Sequence, residues 1–177
     1  MTTLIHPGEK LREAFIHMAA EFAASGELRY TADAEHFTAY IAERGNPERG
    51  RAMAAGWVPD SHFWLIDGGR VLGCSRLRHR LTPELEREGG HIGYDVRPSA
   101  RRKGYGTMLL RLTLERAWAM GMERIRVTCD ADNAASVRVI EKNAGILDGE
   151  VVSLRTGKMI RQYWILREEG GSDLLRI

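Results

Sequence analysis

The 177-residue sequence predicts one α/β (α+β) domain, in which a mixed, mostly antiparallel sheet of six to seven strands is flanked by about four helices. Three observations indicate this class. Glycine turns at Gly68-Gly69 and at Gly157 separate runs of β-forming residues and predict two hairpins. A strand, a helix and a second strand follow one another across residues 91–129, an order that predicts a right-handed crossover between parallel strands. Apolar residues near the N-terminus recur at helical spacing.

The N-terminal part of the chain predicts two helices. From Leu11 to Ala24, apolar residues form one stripe and charged residues lie on the other side. The segment from Ala32 to Arg44 repeats this pattern. Its expected N-cap is Thr31 or Asp33, and its expected end is the breaker Gly45-Asn46-Pro47.

The middle of the chain predicts the first strands. Phe63 to Ile66 and Val71 to Leu77 are rich in β-forming residues and form the first hairpin. The polar stretch from Leu81 to Gly90 predicts an excursion over the surface. A third strand is expected from His91 to Val96.

The second half predicts alternating helices and strands and then a hairpin. An amphipathic helix is expected from Thr107 to Met120, followed by a strand from Ile125 to Cys129. Asn133 is a suitable cap for a further helix. The last two strands are Val151 to Leu154 and Met159 to Leu166.

The composition excludes several classes of protein. The net charge of +2 is too small to indicate a polyanionic partner, and we find no nucleic-acid motif. No apolar run reaches the roughly 18 to 20 residues of a membrane span, and Met1 to Lys10 does not resemble a signal peptide. We therefore expect a reducing cytoplasm, in which Cys74 and Cys129 are buried thiols. The histidines are scattered without metal-ligand spacing, so no metal site is expected.

Three arginines alternate along the strand that completes the first hairpin. Arg76, Arg78 and Arg80 would share one face of that strand. They would then contact an acidic ligand or be solvated, and we expect solvation.

The most informative segment is Arg101-Arg102-Lys103-Gly104-Tyr105-Gly106, between a predicted strand and a predicted helix. Glycines at this place let the backbone turn tightly and present unpaired N–H groups of a helix start to an anion. A Walker loop is excluded because no lysine follows Gly106, and a Rossmann fingerprint lacks its third glycine. The segment therefore predicts a phosphate cradle of another kind.

A second segment supports the first. In Asn133 to Gly145, an asparagine opens a helix and a glycine ends it. With Val96-Arg97-Pro98 ahead of the R-x-x-G-x-G pattern at Arg101, the two segments resemble the coenzyme A signatures of the GNAT superfamily of N-acetyltransferases. Further segments resemble a bacterial subgroup of predicted acetyltransferases with no assigned substrate: Val58-Pro59, Phe63 to Asp67, Arg78 to Arg80 and Gly89 to Tyr94.

The resemblance implies a single GNAT domain over residues 1–177 with a central pair of parallel strands that splay apart. Its cofactor-binding core would cover about residues 91–145, and its acceptor-side helices about residues 9–45. The implied activity is direct transfer of an acetyl group from acetyl-CoA to an amine of a small molecule or peptide. Because members of this family commonly form dimers, the resemblance is also compatible with a homodimer.

The resemblance also implies the cofactor contacts. Backbone groups of the strand would pair with the pantetheine arm, and N–H groups of the loop would bind the pyrophosphate. Asn133 can cap its helix, bind pantetheine, or do both. Lys142 can reach the cofactor or only complement the end of its helix. The expected cofactor-binding residues are Tyr94, Asp95, Val96, Arg97, Arg101, Arg102, Lys103, Gly104, Tyr105, Gly106, Thr107, Asn133, Ser136 and Lys142.

The acid and base of the reaction are harder to assign. Positions at which family members often carry a base hold Gly90 and Ile92, and the position of a frequent tyrosine acid holds Ile140. Strand alternation places Tyr94 on one face with Ile92, and His91 on the other. We take Tyr94 and His91 as catalytic candidates, with His79 and Tyr163 as alternatives, beside a water relay with no dedicated base. A non-catalytic acyl-CoA-binding sensor is the alternative function.

Overall fold

The computed structural model describes residues 1–31, 34–44 and 58–168. Within these ranges the helices are α1 (Arg12–Ala24), α2 (Ala34–Arg44), α3 (Pro83–Arg87), α4 (Tyr105–Ala119) and α5 (Ala134–Glu141). The strands are β1 (Thr3–Ile5), β2 (Asp60–Asp67), β3 (Arg70–Arg78), β4 (Ile92–Val96), β5 (Arg124–Asp130), β6 (Ile146–Val152) and β7 (Met159–Leu166). The predicted cap Asp33 and breaker Gly45-Asn46-Pro47 lie outside the described residues.

The strands form two antiparallel sheets. One has the order β1-β2-β3-β4 and the other the order β5-β7-β6. Both predicted hairpins are present, and the α/β fold class is confirmed. The sequence interpretation missed β1 and α3, and it began the β6 strand five residues too late, at Val151 instead of Ile146.

The two sheets meet between β4 and β5, the strands joined by the α4 crossover. The sheet order of the described residues gives these two strands no ladder. They touch at one end, where the His91 N–H donates to the Arg126 carbonyl at 2.7 Å. Beyond this contact the edge of β4 has no neighbouring strand among residues 1–31, 34–44 and 58–168, and a wedge opens between the sheets.

Each face of the first sheet packs on a different group of helices. Alternating side chains put Phe63, Leu65 and Ile92 against α4, in a core that continues to Tyr163 on the second sheet. The opposite face carries Trp64, which stacks on Phe15 of α1 with ring centroids 5.0 Å apart. The sheet is therefore held between two helical layers, and its α4 face borders the wedge.

Two further expectations concern buried groups. Cys74 and Cys129 are buried free thiols, as predicted. The expected solvation of the strand β3 arginines is wrong for two of them. Arg76 pairs with Asp60 at 2.5 Å, and Arg78 donates to the carbonyls of Gly89 and Gly90. None of the helices in the described ranges is long and apolar enough to cross a membrane.

Candidate functional site

The loop before α4 has the backbone conformation of an anion cradle. Arg102 has φ +61°, and Gly104, the N-cap of α4, has φ +84°. Residues in this left-handed region turn successive N–H groups toward one side of the chain. In the described part of the chain, the six backbone N–H groups from Arg102 to Thr107 have no hydrogen-bond partner. The last three of these groups belong to the first turn of α4, at the positive end of its helix dipole, so this corner is suited to bind an anion.

Gly106 has no Cβ, so α4 and α5 can approach each other closely at this corner. A Cβ on Gly106 would stand 3.2 Å from Val139 Cγ2. The approach is fixed by Asn143, whose amide donates to the Thr107 carbonyl at 3.2 Å and to the Val139 carbonyl at 2.8 Å. The sequence interpretation did not assign a role to Asn143, because this contact joins segments 36 residues apart.

The free edge of β4 offers backbone groups to the wedge. The Arg97 N–H donates to the Leu72 carbonyl, and the His91 carbonyl accepts from the Arg78 N–H. In an antiparallel ladder, the groups that bond one neighbour alternate with groups that point the other way. The N–H and C=O groups of Tyr94 and Val96 therefore face the wedge, although Arg101 Nε already donates to the Val96 carbonyl at 3.0 Å.

A cavity of about 620 Å³ connects the loop, the edge of β4 and the start of α5. The structure brings eleven of the fourteen predicted cofactor residues to its walls: Tyr94, Asp95, Val96, Arg101, Arg102, Gly104, Gly106, Thr107, Asn133, Ser136 and Lys142. Five further residues complete the lining, namely Glu27, Arg29, Ala135, Arg138 and Val139. The sequence analysis assigned no role to these five, although Ala135, Arg138 and Val139 lie within the Asn133 to Gly145 segment.

The other predicted cofactor residues lie outside this lining. The Arg97 side chain is buried in a salt bridge with Glu21 of α1. Lys103 Nζ donates to the Ser99 carbonyl at 2.8 Å, and Tyr105 packs against the core. Each of these side chains is engaged within the protein itself.

His91, the second catalytic candidate, joins the two sheets instead of lining the cavity. Its Nδ1 accepts the Arg126 N–H at 2.9 Å. Burial, with the nearby Arg78 and Arg124 charges, lowers the pKa of His91 to about 4. The imidazole is therefore neutral at pH 7 and takes the place of a backbone acceptor between β4 and β5.

Tyr94, the first catalytic candidate, reaches from β4 across the cavity to the start of α5. Its hydroxyl lies 2.9 Å from Ser136 Oγ. Burial raises the pKa of Tyr94 to about 12, although the hydrogen bond to Ser136 opposes the shift. The phenol is therefore protonated at neutral pH and is suited to donate a proton.

At the start of α5, Asn133 acts as the predicted cap. Its Oδ1 accepts the Ser136 N–H at 3.0 Å. Capping uses the amide oxygen and leaves the Asn133 NH₂ group at the cavity wall.

One side of the cavity is bordered by residues of the segment that follows α1. Glu27 pairs with Arg101 at 2.7 Å, and Arg29 pairs with Asp95 at 2.9 Å. Tyr30 also donates to Asp95 at 3.3 Å. Burial raises the pKa of Asp95, and the Arg29 charge works against that rise.

A second cavity, of about 250 Å³, lies between α1 and α2. Aromatic side chains of Phe15, Tyr30 and Tyr40 line it, with Glu43 among the charged groups. Arg29 lines both cavities. No group of three or more metal-ligating side chains was found among the described residues.

Comparison with known proteins identifies the family. The sequence profile described as "Acetyltransferase (GNAT) domain" matches residues 12–145, which is more than half of the chain. The chain belongs to the GNAT acetyltransferase family. The matched GNAT region contains α1, α2, the cradle and both cofactor signatures, so the resemblance noted in the sequence is confirmed.

Solved structures share the GNAT fold over almost the whole chain. RimL, a ribosomal L7/L12 alpha-N-protein acetyltransferase in complex with coenzyme A, has a TM-score of 0.71 at 16% identity, covering 93% of each chain. MccE, a microcin C7 self-immunity acetyltransferase in complex with acetyl-CoA and AMP, has a TM-score of 0.69 at 13% identity, covering 94% of this chain and 92% of its own. Identities this low support the fold alone.

A third similar structure is the spermidine/spermine N-acetyltransferase SpeG from Vibrio cholerae. It has a TM-score of 0.63 at 12% identity, and the alignment covers 94% of this chain and 95% of that chain. No curated protein matches this GNAT chain in sequence.

Proposed function

We propose that this protein transfers the acetyl group of acetyl-CoA to an amino group of a small molecule or peptide. The observation that carries the proposal is the cradle, in which six consecutive N–H groups from Arg102 to Thr107 are unpaired at a helix start. These groups fit a diphosphate, which needs several donors on one side. Bound acetyl-CoA would supply an activated thioester whose acetyl group passes to the amine, with release of the thiol.

Backbone groups of β4 support the rest of the cofactor assignment. The edge of β4 between Tyr94 and Val96 has no neighbouring strand in the described chain, so an extended amide-containing arm can pair with it as a strand would. The NH₂ group of Asn133 stands across the cavity from this edge. The cavity therefore fits pantetheine amides between the cradle and Tyr94.

We assign Tyr94 as the proton donor to the departing thiolate. Its hydroxyl belongs to the cavity wall, and its pKa of about 12 keeps the proton on the phenol at neutral pH. Ser136 holds the hydroxyl toward α5. His91 is not assigned a chemical role, because its Nδ1 is occupied by the Arg126 N–H.

The acceptor amine would enter from the side of α1 and α2. The second cavity reaches the first one at Arg29, and its aromatic walls suit a small organic amine. Asp95 lies at the same boundary and supplies negative charge near an incoming ammonium group.

A second candidate function is acyl-CoA sensing without catalysis. The observation in its favour is that Ile92 and Ile140, at positions where relatives often carry the base and the acid, are buried in the core. Such a sensor would bind acyl-CoA at the cradle but would not catalyse acetyl transfer.

An amine panel with a thiol-release readout separates the two functions. We expect acetyl-CoA-dependent release of free thiol with at least one primary amine, together with acetyl-CoA binding by calorimetry. Binding with no thiol release across polyamines, amino acids and N-terminal peptides would favour the sensor. Absence of binding at millimolar acetyl-CoA would reject both.

A further inference from the structure

Glu27 places a carboxylate beside the cradle. It lines the main cavity, and Arg101 Nη1 lies 2.7 Å from its Oε1. This contact lowers the pKa of Glu27, so the carboxylate is ionised at neutral pH. Arg101 comes directly before the six N–H groups from Arg102 to Thr107 that form the cradle. Glu27 and a diphosphate bound there would therefore draw on the same guanidinium.

Contacts at the end of α1 fix Glu27 in this place. Gly26 has φ +79° and turns the chain just beyond the helix, and the Glu27 N–H donates to the Phe22 carbonyl at 2.9 Å. The Ser25 hydroxyl donates to Glu27 Oε1 at 3.2 Å. The position of the carboxylate therefore does not depend on Arg101 alone.

Arg101 also covers a backbone acceptor of β4. Its Nε donates to the Val96 carbonyl at 3.0 Å, and its Cζ lies 5.6 Å from the centroid of the Phe22 ring. The Val96 carbonyl is one of the groups through which β4 would pair with an extended amide-containing arm. With Glu27 as its partner, Arg101 thus has its charge compensated and occupies this carbonyl.

This arrangement opposes the binding of an anion. A diphosphate that takes Arg101 must replace Glu27, and the displaced carboxylate stays on the wall of the same cavity. Like charges repel at such short range, and more strongly where water is partly excluded. Arg29 Nε lies 3.3 Å from Glu27 Oε2, so the displaced carboxylate keeps one counter-charge. The exchange of partners is therefore possible, but it reduces the gain from binding.

We propose that Glu27 is an internal competitor of the cofactor, which holds Arg101 on the Val96 carbonyl until coenzyme A takes this arginine from it. The inference rests on the proposed cofactor site. It adds a residue outside both cofactor signatures, and this residue lowers the affinity of the site. Removing the Glu27 charge should therefore strengthen cofactor binding, which is the opposite of what loss of a supporting residue would do.

The test is calorimetric and does not depend on turnover. Dissociation constants for coenzyme A and for inorganic pyrophosphate are measured for the wild type and for Glu27→Gln, which keeps the side-chain length and removes the charge. The control is Glu115→Gln, which also removes one negative charge, but from an exposed pair with Arg111 on α4. Circular dichroism melts establish that each variant is folded.

We expect Glu27→Gln to bind coenzyme A and pyrophosphate about fivefold more tightly than the wild type, because Arg101 no longer has to leave an ion pair. Glu115→Gln should change either affinity by less than about twofold, since its charge lies outside the cavity lining and is screened. Added salt should weaken coenzyme A binding more steeply in Glu27→Gln. The wild type exchanges one ion pair for another, whereas the variant forms an additional one.

Two results overturn the inference alone. One is unchanged or weaker coenzyme A binding by Glu27→Gln, and weaker binding would show that Glu27 orients Arg101 for the phosphate. The other is a gain with coenzyme A that is absent with pyrophosphate, because the competition would then not act at the diphosphate. Either result leaves the proposed acetyltransferase function in place, since coenzyme A still binds. If neither the wild type nor Glu27→Gln binds coenzyme A, the proposed cofactor site and the role of Glu27 fail together.

Discussion

Arg97 and Glu21 form a partly buried salt bridge that ties the end of β4 to helix α1. Arg97 Nε donates to Glu21 Oε2 at 3.1 Å, Nη2 donates to Oε1, and Nη1 donates to the Val71 carbonyl. The same carboxylate accepts the Ser99 N–H and the Ser99 hydroxyl. One acidic residue of α1 therefore fixes the segment that leads into the cradle.

Replacing this carboxylate should destabilise the fold. Glu21→Gln leaves the buried Arg97 guanidinium without its counter-charge, and we expect a loss of about 2 kcal/mol in the free energy of unfolding. Urea denaturation measures this loss. Glu115→Gln is the matched control, because it removes an exposed partner of Arg111 and should cost less than about 0.5 kcal/mol. Equal costs for the two variants would contradict the structural role of Glu21.

The same pair predicts a loss of stability in acid. The Arg97 hydrogen bonds lower the pKa of Glu21 from 4.5 to about 2. The folded state therefore holds the carboxylate ionised where the unfolded state binds a proton, so this contribution is full above pH 4.5 and is lost as the pH falls toward 2. Denaturation across this window should show a smaller pH dependence in Glu21→Gln than in the wild type.

His91 predicts a second pH range in which the free energy of unfolding changes. Because its pKa is lowered from 6.5 to about 4, the unfolded state binds a proton first and the free energy of unfolding falls between pH 6.5 and 4. His91→Ala also leaves the Arg126 N–H without its acceptor. We expect this to lower the free energy of unfolding by about 1–3 kcal/mol at pH 7. His91→Asn keeps an acceptor near Nδ1 and should retain more stability. A His91→Ala variant with wild-type stability would refute the bridging role.

The left-handed N-cap of α4 offers a test of the cradle. Gly104→Ala places a Cβ in open space but at φ +84°, so strain alone should cost about 1–2 kcal/mol of stability. Gly121→Ala is matched, since Gly121 has φ +81°, has open space for a Cβ and lies at the far end of α4. We expect calorimetry to show acetyl-CoA binding weakened about tenfold by the first substitution alone. If the two variants bound acetyl-CoA equally well, the cradle would have no role in cofactor recognition.

Tyr94 is tested by removing only its hydroxyl. Tyr94→Phe keeps the packing of the ring, and we expect kcat to fall about a hundredfold if the phenol donates a proton. Tyr163→Phe, a buried tyrosine outside the cavity lining, is the control and should keep its kcat. Acetyl-CoA affinity should be similar in both variants.

The pH profile adds a second readout for Tyr94. With its pKa raised to about 12, the phenol stays protonated across the neutral and mildly alkaline range. The wild-type rate should therefore rise as the acceptor amine loses its proton, with no descending limb below about pH 10. If the wild-type rate fell above about pH 8 and the rate of Tyr94→Phe did not, the assigned pKa of Tyr94 would be contradicted.

Features encoded within a few residues were predictable from sequence. The glycines of the cradle, the Asn133 cap and the hairpin turns each follow from local backbone requirements. The alternation along β4 placed Tyr94 on the same face as Ile92, and in the structure this face packs against the α4 core. Features that depend on contacts between residues far apart in the sequence were not predictable. Glu21 lies 76 residues from Arg97, so the sequence analysis did not foresee their salt bridge.

The same limit explains the cavity residues that the sequence interpretation missed. Glu27 and Arg29 reach the site only because α1 packs on the first sheet, and Arg138 only because α5 lies against α4. Short elements were also missed, since the three residues of β1 carry too little pattern to stand out before they pair with β2.

In the described residues, the wedge and the cradle present main-chain N–H and C=O groups that have no strand or helix partner. A substitution that changes a side chain there, while keeping the local φ and ψ, leaves the donors and acceptors in position. Selection can therefore act on chain geometry and tolerate wide drift in side-chain identity. This gives a physical reason why folds of this kind persist among proteins that share only one residue in six or fewer.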